Sequence, residues 1–274
     1  MRKITRVSVV LAIAVGVVVG YLAGYAQFTR QISELQTELD ELNDEIADMK
    51  AARLGRVAVV YYGWLVDASG NPNEFAFRIA AKSPSILIAA ADTEEPEYVN
   101  LSPQVLSLFR NLGTLVLAYT AAGEVPLEDV KDNITRCMSL GVDGIFVDRV
   151  PNFLDANQST VDYYSEIYRF IKSYGSQKLV VANTGVWNMG EAVMSVTDIL
   201  CVEHEWVDFA TKNLWRCKYP GTRFLGLSED VTNPDDAVAL TRQAWELGIL
   251  YHYSTSEYID LESWWEEYAD RMGY

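Results

Sequence analysis

"VDGIFVDRV", residues 142–150, is an apolar run that ends on an acid. Gly141 to Gly144 carries the residues of a turn, Ile145-Phe146-Val147 has the branched and aromatic character of a buried strand, and Asp148 arrives at its carboxyl end. A strand apolar on both faces belongs in a parallel sheet covered by helices. Similar runs recur at 57–62, 85–90, 114–119, 144–148, 179–183, 199–203, 223–227 and 248–252. Between them apolar residues take helical spacing, clearest over 127–140, 161–174 and 235–247, with shorter segments at 102–110 and 190–196. Eight strands alternating with helices predict an α/β fold, a (β/α)8 TIM-type barrel spanning 55–274.

The amino terminus has a different character. Arg2, Lys3 and Arg6 are followed by Val7–Thr29 without a charged residue, longer than the roughly 20 residues that cross a bilayer as a helix. The basic flank predicts a signal anchor over 1–29 with the remainder outside the cytoplasm. A cleaved signal peptide is the competing reading, although its apolar region is ordinarily only ~7–15 residues. Ile32, Leu35, Leu39, Leu42, Ile46 and Met49 then repeat at the spacing of a coiled-coil seam, so 30–54 reads as a helical stalk and a homodimer contact. Its acidic flanks equally describe a solvated single helix.

The 274 residues carry a net charge of −16, which argues against nucleic acid as a partner because phosphate backbones require clustered Lys and Arg. Cys137, Cys201 and Cys217 form no CxxC pair, and His204 and His252 alone do not make a zinc triad, so no metal is expected. A Cys201–Cys217 disulfide stays open. No Gly-rich phosphate loop occurs and no cofactor is expected.

In a barrel of this kind the site lies at the carboxyl ends of the strands. Just past the runs stand Trp64 and Asp67, Asp92, Glu124, Asp148 and Arg149, Asn183, then Glu203, His204, Glu205 and Trp206, then Glu229 and Asp230, and last Tyr253. Single exposed acids are ordinarily solvated. Asp148 and Glu203 differ because they terminate apolar strands, where two carboxyls from different strands can flank a glycosidic bond. Arg149 offers a positive charge that would hold Asp148 ionised. Trp64, Tyr119 and Trp206 offer flat faces for sugar rings, and Tyr62, Tyr119 and Tyr253 read equally well as caps on the core.

The order "VAVVYYGW" (57–64), "LVLAYTAAGE" (115–124), "GVDGIFVDRV" (141–150), a helix with Tyr163-Tyr164, "LVVANTG" (179–185) and "DILCVEHEW" (198–206) resembles the spherulin-4-like family, grouped with glycoside hydrolase family 135 and similar to family 114. The resemblance covers roughly residues 56–270 and implies a (β/α)8 barrel acting on galactosamine-containing polysaccharide. It implies Asp148 and Glu203 as the catalytic acids, with Glu205 the alternate for Glu203. Trp64, Asp92, Tyr119, Glu124, Arg149, Asn183, Trp206 and Glu229 are expected to line the substrate cleft. The family commonly has an Asp-Glu pair where this chain has Asp148-Arg149, and Thr184 stands where its turn usually has proline. The expected protein is a membrane-anchored extracellular glycoside hydrolase. The alternative is a catalytically inactive barrel that binds glycan or envelope polymer.

Overall fold

The computed structural model describes residues 56–90 and 101–274. Eight parallel strands close in chain order into one barrel. They are β1 (Arg56–Tyr61), β2 (Ile86–Ala89), β3 (Leu115–Ala121), β4 (Gly144–Asp148), β5 (Leu179–Asn183), β6 (Ile199–Val202), β7 (Phe224–Ser228) and β8 (Tyr251–Ser254). Each coincides with one of the apolar runs, with a shift at the last. The helix before β8 ends in a left-handed Gly248 (φ 76°) whose N–H reaches back to Trp245 O, so residues 248–250 close the helix before the strand can start.

The helices are α1 (Glu74–Ala80), α2 (Pro103–Arg110), α3 (Leu127–Leu140), α4 (Gln158–Ser173), α5 (Trp206–Lys212), α6 (Pro234–Glu246) and α7 (Trp265–Arg271). Between β5 and β6 a 3₁₀ turn, Glu191–Val196, occupies the place of a full helix. Four helices begin on a side chain that accepts a backbone N–H three residues on: Asn73 from Ala76 (3.0 Å), Ser102 from Val105 (3.2 Å), Asn157 from Thr160 (2.9 Å) and Asn233 from Asp236 (2.9 Å). Each cap is worth about 1 kcal/mol and fixes where the strand-to-helix loop ends.

The strands are buried nearly throughout. Gly144 opens β4 because no side chain fits there: a Cβ would lie 2.2 Å from Leu179 O. His252 on β8 is fully buried and turned toward the helices, with Nδ1 2.9 Å from Thr241 Oγ1 on α6 and Nε2 3.1 Å from Ser228 Oγ. Burial pushes its pKa down to about 3, so the ring is neutral. Tyr253 is also buried, as a core residue against Trp265.

The barrel closes through a narrow seam. Among the described residues β1 pairs with β8 at Arg56↔Tyr251 and Val57↔His252, whereas β3 and β4 pair from Leu117↔Gly144 to Ala121↔Asp148. Val57 N–H donates to Tyr274 Oη at 2.8 Å. A bidentate ion pair ties α1 to α7, with Arg78 Nε 2.5 Å and Nη2 2.9 Å from the Glu266 carboxylate.

The expected anchor and stalk fall outside the described residues, as does Asp92. Among the described residues no helix is long and apolar enough to cross a membrane. All three cysteines are free; Cys201 is buried in β6 and Cys217 is exposed in the 3₁₀ turn Leu214–Lys218, so no Cys201–Cys217 bond forms.

Candidate active site

The carboxyl ends of β3 to β7 and the loop after β8 converge on one hydrogen-bonded group. Asp148, last residue of β4, accepts the Tyr119 hydroxyl on Oδ2 (2.8 Å) and the Asn183 amide on Oδ1 (2.9 Å). The same Asn183 Nδ2 donates to Glu203 Oε2 at 3.0 Å, and Tyr258 donates to Glu203 Oε1 at 2.9 Å. Asn183 Oδ1 accepts Gly185 N–H at 3.1 Å, which aims the two amide hydrogens at the acids. Gly185 has φ 64°, the conformation that brings its N–H back to the side chain.

Glu229, just past β7, completes the group. Its pKa is raised, first by desolvation, then by a hydrogen bond to Glu203 and by the Glu203 charge. His204 Nδ1 lies 3.2 Å from Glu229 Oε2. Ligand atoms of Glu203, His204 and Glu229 lie within 4.8 Å of one another, a spacing a divalent cation accepts. Both Glu203 oxygens also accept protein donors, from Asn183 and Tyr258, so the trio is part of the same hydrogen-bonded network. Counting His and Cys in the sequence gave no sign of it, because two of its members are glutamates.

Each of the three acids is followed by a residue in the left-handed region: Arg149 (φ 60°), His204 (φ 55°) and Asp230 (φ 58°). This conformation costs roughly 1–2 kcal/mol for a residue with a side chain. Its repetition ends the extended backbone abruptly beyond each acid and leaves the carboxyl at the barrel mouth. Such strain gathers at functional sites.

Tyrosines form the wall. Tyr62 meets Tyr119 edge-on at 5.2 Å and Tyr258 at 5.5 Å between ring centroids. Burial, reinforced by the nearby acids, raises the pKa of Tyr62, Tyr119 and Tyr258, so these hydroxyls remain donors.

Of the residues expected at the site, the structure brings Asp148, Tyr119, Asn183, Glu203 and Glu229 together. Trp64 stands 48 % exposed beyond β1. Glu124 is exposed beyond β3. Glu205 is exposed at the start of α5, and no side-chain contact joins it to the group among the described residues; Glu203 is the acid that faces Asn183. Trp206 departs from expectation: it is 2 % exposed, donates Nε1 to Ser228 Oγ at 2.9 Å and packs edge-on against His252, because α5 turns it inward onto Gly226. Arg149 is exposed, and among the described residues no ion pair joins it to Asp148. Tyr258 was not foreseen, since it lies in an irregular loop with no periodicity to mark it.

A closed parallel barrel whose strand ends gather acids and tyrosines is a protein of the TIM-barrel class with its site at the carboxyl rim. Residues 87–272 match spherulation-specific family 4, and the chain belongs to that family. No curated protein sequence matches it. Among solved structures, Aspergillus clavatus Sph3 in complex with GalNAc superposes with TM-score 0.60 at 16 % identity, covering 80 % of this chain and 98 % of that one. A GH18 chitinase from Pseudoalteromonas aurantia gives 0.52 at 12 % identity, covering 79 % and 99 %. A putative beta-galactosidase from Bacteroides fragilis gives 0.51 at 11 % identity, covering 79 % and 42 %. At these identities the likeness is one of fold.

Proposed function

We propose that the barrel is a glycoside hydrolase acting on galactosamine-type polysaccharide, with Asp148 and Glu203 as its catalytic carboxyls. The observation that carries this reading is the single Asn183 nitrogen bonded to both acids. It sets the two bonded oxygens no more than about 6 Å apart, short of the ~6.5–9.5 Å that seats a water for inversion and near the ~5–5.5 Å of a double displacement. The Glu203–Glu229 pair holds the proton that passes to the leaving glycosidic oxygen. Asp148, oriented by Tyr119 and Asn183, attacks the anomeric carbon as that C–O bond breaks. Water deprotonated by the same pair then releases the sugar with retained configuration.

Family membership supports this reading, as do the sugar in the Sph3 crystal and the exposed Trp64 at the rim. The charge-free segment 7–29 and the heptad spacing of 32–49 support an outward-facing barrel held at the cell membrane on a dimeric stalk.

The test is release of reducing ends from α-1,4-linked galactosamine and N-acetylgalactosamine polymers. Asp148→Asn lowers turnover by at least about 100-fold while the protein still retains polymer. Equal turnover in variant and parent removes Asp148 from the mechanism. Retention without release by the parent protein makes the barrel a glycan-binding module instead.

A further inference from the structure

Trp206, expected in the cleft, is instead the first member of a buried hydrogen-bonded chain behind the acids. The indole lies against Gly226, where a Cβ would stand 3.2 Å from Trp206 Cγ and 3.1 Å from His252 Cδ2, so the glycine makes room for both rings. Trp206 Nε1 is 2.9 Å from Ser228 Oγ, and Ser228 Oγ is 3.1 Å from His252 Nε2. His252 Nδ1 is 2.9 Å from Thr241 Oγ1, and that oxygen lies 2.8 Å from both Tyr268 Oη and Ala237 O. His252, Thr241 and Tyr268 are fully buried.

The direction of the chain follows from its first donor. An indole N–H only donates, so Ser228 Oγ accepts it and sends its own proton to His252 Nε2. The ring proton then sits on Nδ1 and goes to Thr241 Oγ1, the Thr241 proton goes to Ala237 O, and Tyr268 donates to Thr241. With the ring proton on Nε2 instead, the Ser228 hydroxyl would have no acceptor among the described residues. A buried chain satisfied in this way specifies one geometry, because each member loses its partner when the next one moves.

Its place in the sequence ties it to the acids. Glu203 stands just past β6, three residues before Trp206, and Glu229 directly follows Ser228, the last residue of β7. The bond from Trp206 to Ser228 therefore clamps, from the helix side, the two strand ends that carry the paired glutamates. We infer that Trp206 and Ser228 are positioning residues for the Glu203–Glu229 pair, with His252 holding the Ser228 hydroxyl in the orientation that accepts the indole. The inference rests on the reading of these glutamates as working acids and adds to it residues that touch no substrate.

The test compares Trp206→Phe and Ser228→Ala in the full-length protein with the parent and with Ile171→Val, a core change on α4 away from the chain, at a temperature where all four are folded. On galactosamine polymers Trp206→Phe and Ser228→Ala lower kcat about tenfold or more with KM held within about twofold, whereas Ile171→Val keeps the parental kcat. With carbon-13-labelled carboxyls and no substrate, the same two variants move the Glu203 and Glu229 resonances at fixed pH and leave that of Asp148 in place. Parental kcat in both variants, or glutamate resonances that stay where they were, overturns the positioning role and leaves the glycan reading standing. A parent protein that cleaves no polymer removes the hydrolase reading, and the clamp then stands or falls on the carboxyl resonances alone.

Discussion

Asn183 spends one nitrogen on two acids from neighbouring strands, and its carbonyl is pinned by Gly185 N–H, so its orientation is not free to change. That arrangement fixes the distance between Asp148 and Glu203 more firmly than either side chain alone could. Glu229 supplies the proton logic. Its raised pKa, caused first by burial and then by the neighbouring Glu203, means that Glu229 keeps its proton to higher pH than a free glutamate does. Activity that needs this proton is present at low pH and falls as pH rises through the raised value. Replacing Glu229 with Gln moves that basic limb of the kcat/KM profile to lower pH, because the second carboxyl no longer helps hold the proton. An unmoved basic limb would take Glu229 out of the proton transfer. The stability sign agrees: a carboxyl with a raised folded-state pKa contributes fully below its unfolded pKa, and the contribution is lost as pH rises through the folded value. At this scale Asp148 and Glu203 were readable because an acid closing an apolar strand is conspicuous. Tyr258 was not, because its role comes from the path of a loop, and Trp206 misled because position at a strand end does not say which way a following helix turns its first residue.

Strands were the most readable elements, since burial on both faces writes itself as continuous Val, Ile and Leu. The 3₁₀ turn at Glu191–Val196 was visible only as a segment too short for a helix. What the sequence did not announce is close approach. At Gly144 a methyl would strike the Leu179 backbone, which cannot rotate away, so β4 and β5 would have to part. Gly144→Ala is expected to cost about 1–3 kcal/mol, read as a lower denaturant midpoint with an unchanged slope. Because β4 delivers Asp148 and β5 delivers Asn183, the same variant should lose kcat under conditions where it remains folded. A variant as stable and active as the parent would show that the strands tolerate separation.

For the whole molecule, the barrel was foreseen from repetition alone, eight times strand and helix. The proposed stalk over 30–54 is a separate matter of chain association. Leu39 occupies the middle of its apolar spacing, and Leu39→Asp should convert a dimer to a monomer by light scattering of the full chain in detergent. An unchanged mass would remove the seam as the dimer contact.

The seam between β1 and β8 has a kinetic consequence. It joins strands from opposite ends of the domain through the two register pairs Arg56↔Tyr251 and Val57↔His252. Closing it spends the entropy of a loop that is nearly the entire barrel, so this contact forms last on the way in and parts first on the way out. Amide exchange should therefore be fastest along Arg56 and Val57 among the barrel strands, and opening there would reach the group of acids through Tyr62, just past β1, and Tyr258, in the loop after β8, while β3 to β7 hold the acids themselves.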